Sequence, residues 1–178
     1  LILLLSLVSV KLFDKNINEP MTLNFDSGVE KLNKFDAGIY QKVGWLQVQG
    51  TNINMPIITG EVKDSITYSY SWLSPFYNTG ENREEILGHN VINVSSQPML
   101  PNDNLKDFEE LTAFSYYSFA KDNLYIQYTK DGKDEIYLIY AIGFYNKEDD
   151  YGQSYSEKED VKNYIKNAKD NSIYRYSI

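Results

Sequence analysis

Residues 44–60 read GWLQVQGTNINMPIITG, and the way this stretch is read decides the fold. Leu46 and Val48 alternate with Gln47 and Gln49, which is the period-two pattern of a strand with one face turned to a core. Gly50, Thr51 and Asn52 then supply turn chemistry, and a second β-rich run follows from Ile53 to Ile58. Two strands joined by a tight turn are predicted. Pro56 has no N–H to give to a ladder, so the second strand is expected at an edge or beside a bulge.

Working outward, residues 124–129 alternate in the same way, Lys130-Asp131-Gly132-Lys133 has hairpin-turn chemistry, and residues 135–146 (EIYLIYAIGFYN) make a long second strand. Residues 85–94 (EILGHNVINV) are β-rich and carry the sole histidine, His89. A short helix is expected over residues 107–119, with Phe108, Leu111, Phe114 and then Ser118 or Phe119 on one side. Another is expected over residues 156–169, where Ser156 and Glu159 form a capping box ahead of the stripe Val161, Tyr164, Ile165, Ala168. Residues 27–35 place Val29, Leu32 and Phe35 at helical spacing, a short amphipathic helix for the flank of the domain. Residues 61–85 are too long and aromatic for an ordinary connector, and either hold a short helix or cover a functional surface.

The amino end reads LILLLSLVSV before the first charge at Lys11. Ten residues rise about 15 Å as a helix, roughly half of a bilayer core. The segment is read as the outer half of a membrane helix or signal peptide, with a short buried strand or helix as the less favoured alternative. Residues 1–13 are therefore assigned to the remnant of an anchor, 14–43 to a tether and helix, and 44–178 to the main domain. The chain stops at residues 172–178 (SIYRYSI) with no terminal turn or polar tail to finish the domain, and it is expected to be cut rather than ended.

At 178 residues one domain with a real core is expected. Sixteen Tyr, 8 Phe and 2 Trp favour pleated, half-buried surfaces, so the fold class is mainly β. A net charge of −8 repels a phosphate backbone and argues against nucleic acid as a partner. There is no Cys, which removes disulfides, zinc-thiolate sites and thiol chemistry from these residues.

Candidate chemistry is correspondingly sparse. Gly88 removes a side chain beside His89 and Asn90 offers an amide, so this strand end could present an imidazole to a cleft. The alternative is a strand histidine bonded to a backbone carbonyl. Asp103, Asp107, Glu109 and Glu110, and Asp131, Asp134, Asp149 and Asp150, are acidic groups without calcium-loop spacing and read as solvated charge. Ser95 and Ser96 lie near His89, but no G-x-S-x-G elbow supports a serine hydrolase. Tyr116, Tyr117 and the tyrosines of residues 68–77 could form a sugar-stacking face, though packing is the plainer reading. No metal or cofactor is expected.

The run from Gly44-Trp45 through Thr51-Asn52-Ile53 to Pro56-Ile57-Ile58 resembles the opening strands of class B sortases, and Ile86-Leu87-Gly88-His89-Asn90 resembles that family's histidine strand. The hairpin and the later helix also arrive in the family's order. The resemblance spans residues 44–178. It implies a sortase-type closed β-barrel with a short N-terminal helix and a helix inserted before the cysteine strand.

In that family a cysteine thiolate attacks the Thr carbonyl of a sorting motif in a secreted protein. A peptidoglycan-precursor or pilin amine resolves the thioacyl intermediate, a histidine protonates the leaving amine, and an arginine steadies the oxyanion or the substrate. His89 matches the histidine. The cysteine has no match, and Arg83 and Arg175 stand before the place of the family's arginine, so neither takes that role. The resemblance implies a membrane-anchored extracellular enzyme of which this stretch is an inactive piece. A sortase-like surface module that binds a peptide or glycan without chemistry is the other reading.

Overall fold

The structure is a computed structural model and describes residues 2–7, 23–38, 40–59, 76–80, 83–87, 108–145 and 158–174. Among the described residues seven strands form one sheet: β1 (Ile2–Leu7), β2 (Gln41–Val48), β3 (Asn54–Thr59), β4 (Phe76–Gly80), β5 (Arg83–Leu87), β6 (Tyr125–Lys130) and β7 (Lys133–Tyr145). Their order is β1-β7-β6-β2-β3-β4-β5. Every pairing is antiparallel except β3 with β4, which meet in parallel at Ile58 and Phe76. The described strands thus run as an open ladder from β1 to β5; the closed barrel expected from the sequence is not among these pairings.

The two hairpins form where their turns predict. Asp131 and Gly132 both take positive φ, 51° and 73°, as a two-residue turn with the twist of its flanking strands requires. Glycine at the second position meets that demand without a Cβ penalty. In the other hairpin Val48 N–H donates to the Ile53 carbonyl at 3.0 Å. Hydrogen-bonded and non-bonded pairs alternate from there, so Pro56, opposite Trp45, falls in a non-bonded pair and its missing N–H faces away from β2. On that other flank, among the described residues, β3 meets β4 at Ile58 and no pairing is described at Pro56. The bulge lies in β2, between Lys42 and Gly44.

One face of the sheet is apolar. Leu46, Val48, Ile53, Ile57, Ile126, Tyr128, Ile139 and Ile142 are buried against Phe108, Leu111, Phe114 and Ala120. Phe108, Leu111 and Phe114 belong to the segment expected as a helix over residues 107–119, and Ala120 follows it. The segment is instead a 3-10 helix, Glu109–Ser115, followed by a four-residue helix α2 (Tyr117–Ala120), with extended backbone at Tyr116 (φ −98°, ψ 119°) between them. Phe108, Leu111 and Phe114 recur every three residues, the repeat of a 3-10 helix, and this turn stacks all three on the core.

The opposite face carries the buried polar residues Gln47, Gln127 and Thr129. Helix α1 (Gly28–Lys34) packs there against β2, β6 and β7, with Ser27 as its N-cap: the Ser27 Oγ accepts from Glu30 N–H. Gln47 and Gln127 each donate an amide N–H to the Asp26 carbonyl, at 2.8 and 2.7 Å. Both glutamines are thereby satisfied, and the chain that enters α1 is ordered in the process.

After β7 comes the last helix, here α3 (Lys158–Asp170). Ala168 and Ile165 of its expected stripe pack on Tyr140 and Ala141. Ser156 of the expected capping box lies outside the described residues. Beyond α3 the chain returns to β7, where Ile173 N–H donates to the Ile142 carbonyl at 2.8 Å and Ile142 N–H to Ser172 Oγ at 3.0 Å.

The apolar amino end forms β1 on the flank of β7, from Ile2 opposite Tyr145 to Leu7 opposite Ile139. Among the described residues no helix is long and apolar enough to cross a membrane.

Candidate functional site

His89 itself lies outside the described residues, as do Gly88 and Asn90 on either side. The strand that leads to it is described. β5 pairs with β4 from Gly80–Arg83 to Phe76–Leu87, a hairpin whose register brings Tyr77 opposite Ile86. The Ile86 side chain packs against the main apolar cluster and pins the strand to the core. β5 stands last in the strand order, at the far end from β1. Among the described strands the backbone therefore delivers the chain, two residues before His89, to the last of the ladder. A strand there offers backbone N–H and C=O groups to whatever extended segment lies beside it.

The remaining candidates separate cleanly. Arg83 opens β5 opposite Gly80, and Arg175 lies outside the described residues. Asp134, read from the sequence as solvated charge, holds a structural post: its Oδ1 accepts from Thr129 Oγ1 (2.6 Å) and Val29 N–H (3.1 Å), and its Oδ2 from Ser27 Oγ (3.3 Å). Glu110 accepts from the Asn52 backbone N–H at 2.8 Å and ties the β2–β3 turn to the 3-10 helix. Asp131 occupies its turn. Asp103, Asp107, Asp149, Asp150, Ser95 and Ser96, and residues 68–75, lie outside the described residues. Among the described ones no three His, Cys, Asp or Glu side chains gather as metal ligands.

Sequence reasoning missed one polar depression. A hollow of about 310 Å³ lies between residues 23–26 and the β2–β3 hairpin, lined in part by Asp26, Gln47, Gln49, Thr51 and Asn54. At its rim the Lys31 ammonium bonds the Asp26 carboxylate at 2.5 Å and holds that carboxyl below its ordinary value. Asn54 Oδ1 is already occupied by Trp45 Nε1–H at 2.6 Å. The hollow belongs to the α1 side of the sheet, and these polar groups are engaged with protein partners.

A largely antiparallel ladder with one parallel contact, a covering N-terminal helix, a long hairpin and a late helix on β7 make up the described arrangement, and solved structures superpose on it. A sortase B from Clostridium perfringens superposes with a TM-score of 0.60 at 22% identity, covering 84% of this chain and 80% of its own. The Staphylococcus aureus sortase B–substrate complex gives 0.60 at 19%, covering 84% and 69%. A sortase B complexed with triglycine gives 0.59 at 20%, covering 84% and 68%.

The fold is that of class B sortases.

No family model matches the sequence, and no curated protein does. At about one residue in five identical, the sortase B likeness is carried by topology and core rather than by shared side chains. The resemblance noted in residues 44–58 falls on β2 and β3, and the Gly-His-Asn run follows directly on β5.

Proposed function

We propose that this chain is the histidine-bearing part of a class B-type sortase, a cysteine transpeptidase that cleaves a sorting motif near the carboxyl end of secreted proteins. The observation that carries this reading is the sortase B fold across 84% of the chain. His89 is the general acid that protonates the departing amine as the thioacyl bond forms. The 178 residues hold no Cys, so they cannot form that bond alone, and the thiol and the oxyanion-steadying arginine come from sequence outside them. The sheet closes into a barrel when that sequence pairs with it.

The partners we assign are an extended sorting-motif peptide and an acceptor amine, from a peptidoglycan precursor or a pilin. Solved sortase B structures holding a substrate and triglycine support the two classes. We place the enzyme at the outer face of the cell membrane, where secreted proteins and the acceptor amine of this reading meet.

The test is made on the protein read through beyond Ile178. Closing strands that carry a Cys followed by an Arg, and loss of transpeptidation on the order of 100- to 10,000-fold in His89→Ala with folding retained, are the expected results. A stop codon, a thiol-free closing strand, or wild-type turnover by His89→Ala overturns the reading. The absence of Cys favours one other reading, a surface module with this fold that binds a peptide or glycan without chemistry. Retention of a ligand by the 178-residue chain, with no thiol in the continued frame, selects it.

A further inference from the structure

Two tyrosine rings from distant parts of the chain touch on this fold. The ring of Tyr117, the first residue of α2, lies 5.3 Å from that of Tyr174, centre to centre, and is tilted by 54° to it. Tyr174 is held on both sides. Its neighbour Ile173 donates its N–H to the Ile142 carbonyl of β7, and its own hydroxyl donates to the carbonyl of Ser115, 59 positions away in the chain and two residues before Tyr117. Tyr174 therefore presents a fixed ring. Tyr117 is 59% exposed, and an exposed side chain reorients within picoseconds to nanoseconds, so its ring carbons sample those of Tyr174 continually.

The chemistry open to such a pair is oxidative. A phenol gives up one electron and its hydroxyl proton to a strong one-electron oxidant, and the phenoxyl radical carries its unpaired electron partly on the ring carbons ortho to the oxygen. Two such radicals in contact form a carbon–carbon bond between ortho carbons, and the hydrogen on each of those carbons then returns to oxygen and restores both phenols. The pair has lost two electrons and two protons in all, and hydrogen peroxide, acting through a haem peroxidase, takes them up as water. Rings already in contact need no diffusional encounter, so coupling within one chain outruns coupling between chains. A second pair, Tyr128 and Tyr137, stands farther apart at 6.4 Å, and Tyr128 is buried, which denies it to an oxidant working from the surface. The 178 residues hold no Cys, so no thiol among them intercepts the radical and no disulfide makes an equivalent tie.

We propose that Tyr117 and Tyr174 are an oxidative cross-linking site, joined through their ortho carbons by peroxide and a haem peroxidase. The bond ties α2 to the segment after α3 and encloses β6, β7 and α3 in one covalent loop. This site draws on no step of transpeptidation and does not depend on that reading.

The full 178-residue chain is treated with hydrogen peroxide and a haem peroxidase, and the monomer is followed by dityrosine fluorescence, intact mass and peptide mapping. A monomer lighter by two hydrogen atoms, with residue 117 joined to residue 174, is expected. In Tyr117→Phe, which keeps the ring but has no hydroxyl to oxidise, that product falls by at least about tenfold, while Tyr116→Phe leaves it as it was. Both substitutions fall on exposed side chains, and unchanged urea midpoints before oxidation show that the fold is kept. The joined monomer unfolds at a higher urea concentration than Tyr117→Phe treated in the same way, because the tie restricts the unfolded chain. Three results overturn the assignment: products between chains only, a bond mapped to a different pair of tyrosines, or a joined monomer whose urea midpoint is not raised, which would mean that the rings had reacted outside their folded contact.

Discussion

Asp134 and Val29 stand 105 positions apart in the chain, yet the carboxylate of one accepts the second backbone N–H of the helix that the other helps to open. Helix starts leave several N–H groups without intrahelical partners, and a fixed negative charge there also suits the helix dipole. Asp134 supports the Ser27 cap as well, since the hydroxyl that accepts from Glu30 N–H donates its own proton to Asp134. Asp134→Ala is therefore expected to lower stability by about 1–2 kcal/mol, the usual cost of a lost cap with its side-chain partner, read from the urea midpoint at constant slope. Hydrogen exchange should rise first in residues 28–34. Asp26 gives a prediction in pH. The Lys31 hydrogen bond and charge depress its folded value below the ordinary 3.8. A depressed carboxyl stabilises the fold fully above its unfolded value, and that contribution disappears as pH falls below 3.8 through the folded value. Lys31→Met should move the Asp26 titration, followed by carbon NMR, back up toward 3.8, and an unmoved midpoint would remove Lys31 as the cause. None of these roles could be read in the sequence, where Asp134 is one of many acids and its partners include a distant segment.

Elements follow local pattern until packing selects among near-equivalent forms. The spacing of Phe108, Leu111 and Phe114 named the buried side of its segment correctly, but a three-residue interval suits either helix type, and the sheet beneath chose the tighter turn. Phe114 is fully buried and touches the Phe119 ring edge-on at 5.0 Å. Phe114→Ala should cost about 3–5 kcal/mol in denaturant unfolding, because the rigid sheet on one side and α2 on the other limit collapse into the cavity. Strands β2 and β6 show the reverse constraint. A Cβ on Gly44 would stand 2.3 Å from the Thr129 carbonyl oxygen and 2.6 Å from the Tyr128 ring. Backbone cannot swing aside as a side-chain end can, so Gly44→Ala should separate the two strands and destabilise by about 1–3 kcal/mol, with the largest amide shifts at residues 128–130. Trp45 beside it tolerates its position because Asn54 satisfies the indole N–H and Phe35 covers the ring at 6.2 Å.

Across the whole molecule β7 is the strand on which the rest depends. β6 and then Ser172–Ile173 occupy one flank, β1 lies on the other, and α3 covers Tyr140 and Ala141. Removing residues 1–10 should leave the 139–145 edge unpaired and raise concentration-dependent light scattering, since an apolar strand edge is a template for another chain; unchanged scattering would mean that β1 is not needed as a cover. Local sequence pattern was enough for the mainly β character, the β2–β3 and β6–β7 hairpins with their turns, helix α1, the stripe of α3, and the strand that leads to His89, though not for the β4–β5 hairpin. Each is written within a dozen or so residues as periodicity, capping or turn chemistry, which act locally. Tertiary packing alone set the order β1-β7-β6-β2-β3-β4-β5, the parallel meeting of β3 with β4, the use of the apolar amino end as a strand, the 3-10 turn, and the contact of Tyr117 with Tyr174. Those features join residues far apart in the chain, and the free energy that selects them comes from burying whole faces together, a quantity no short window of sequence contains.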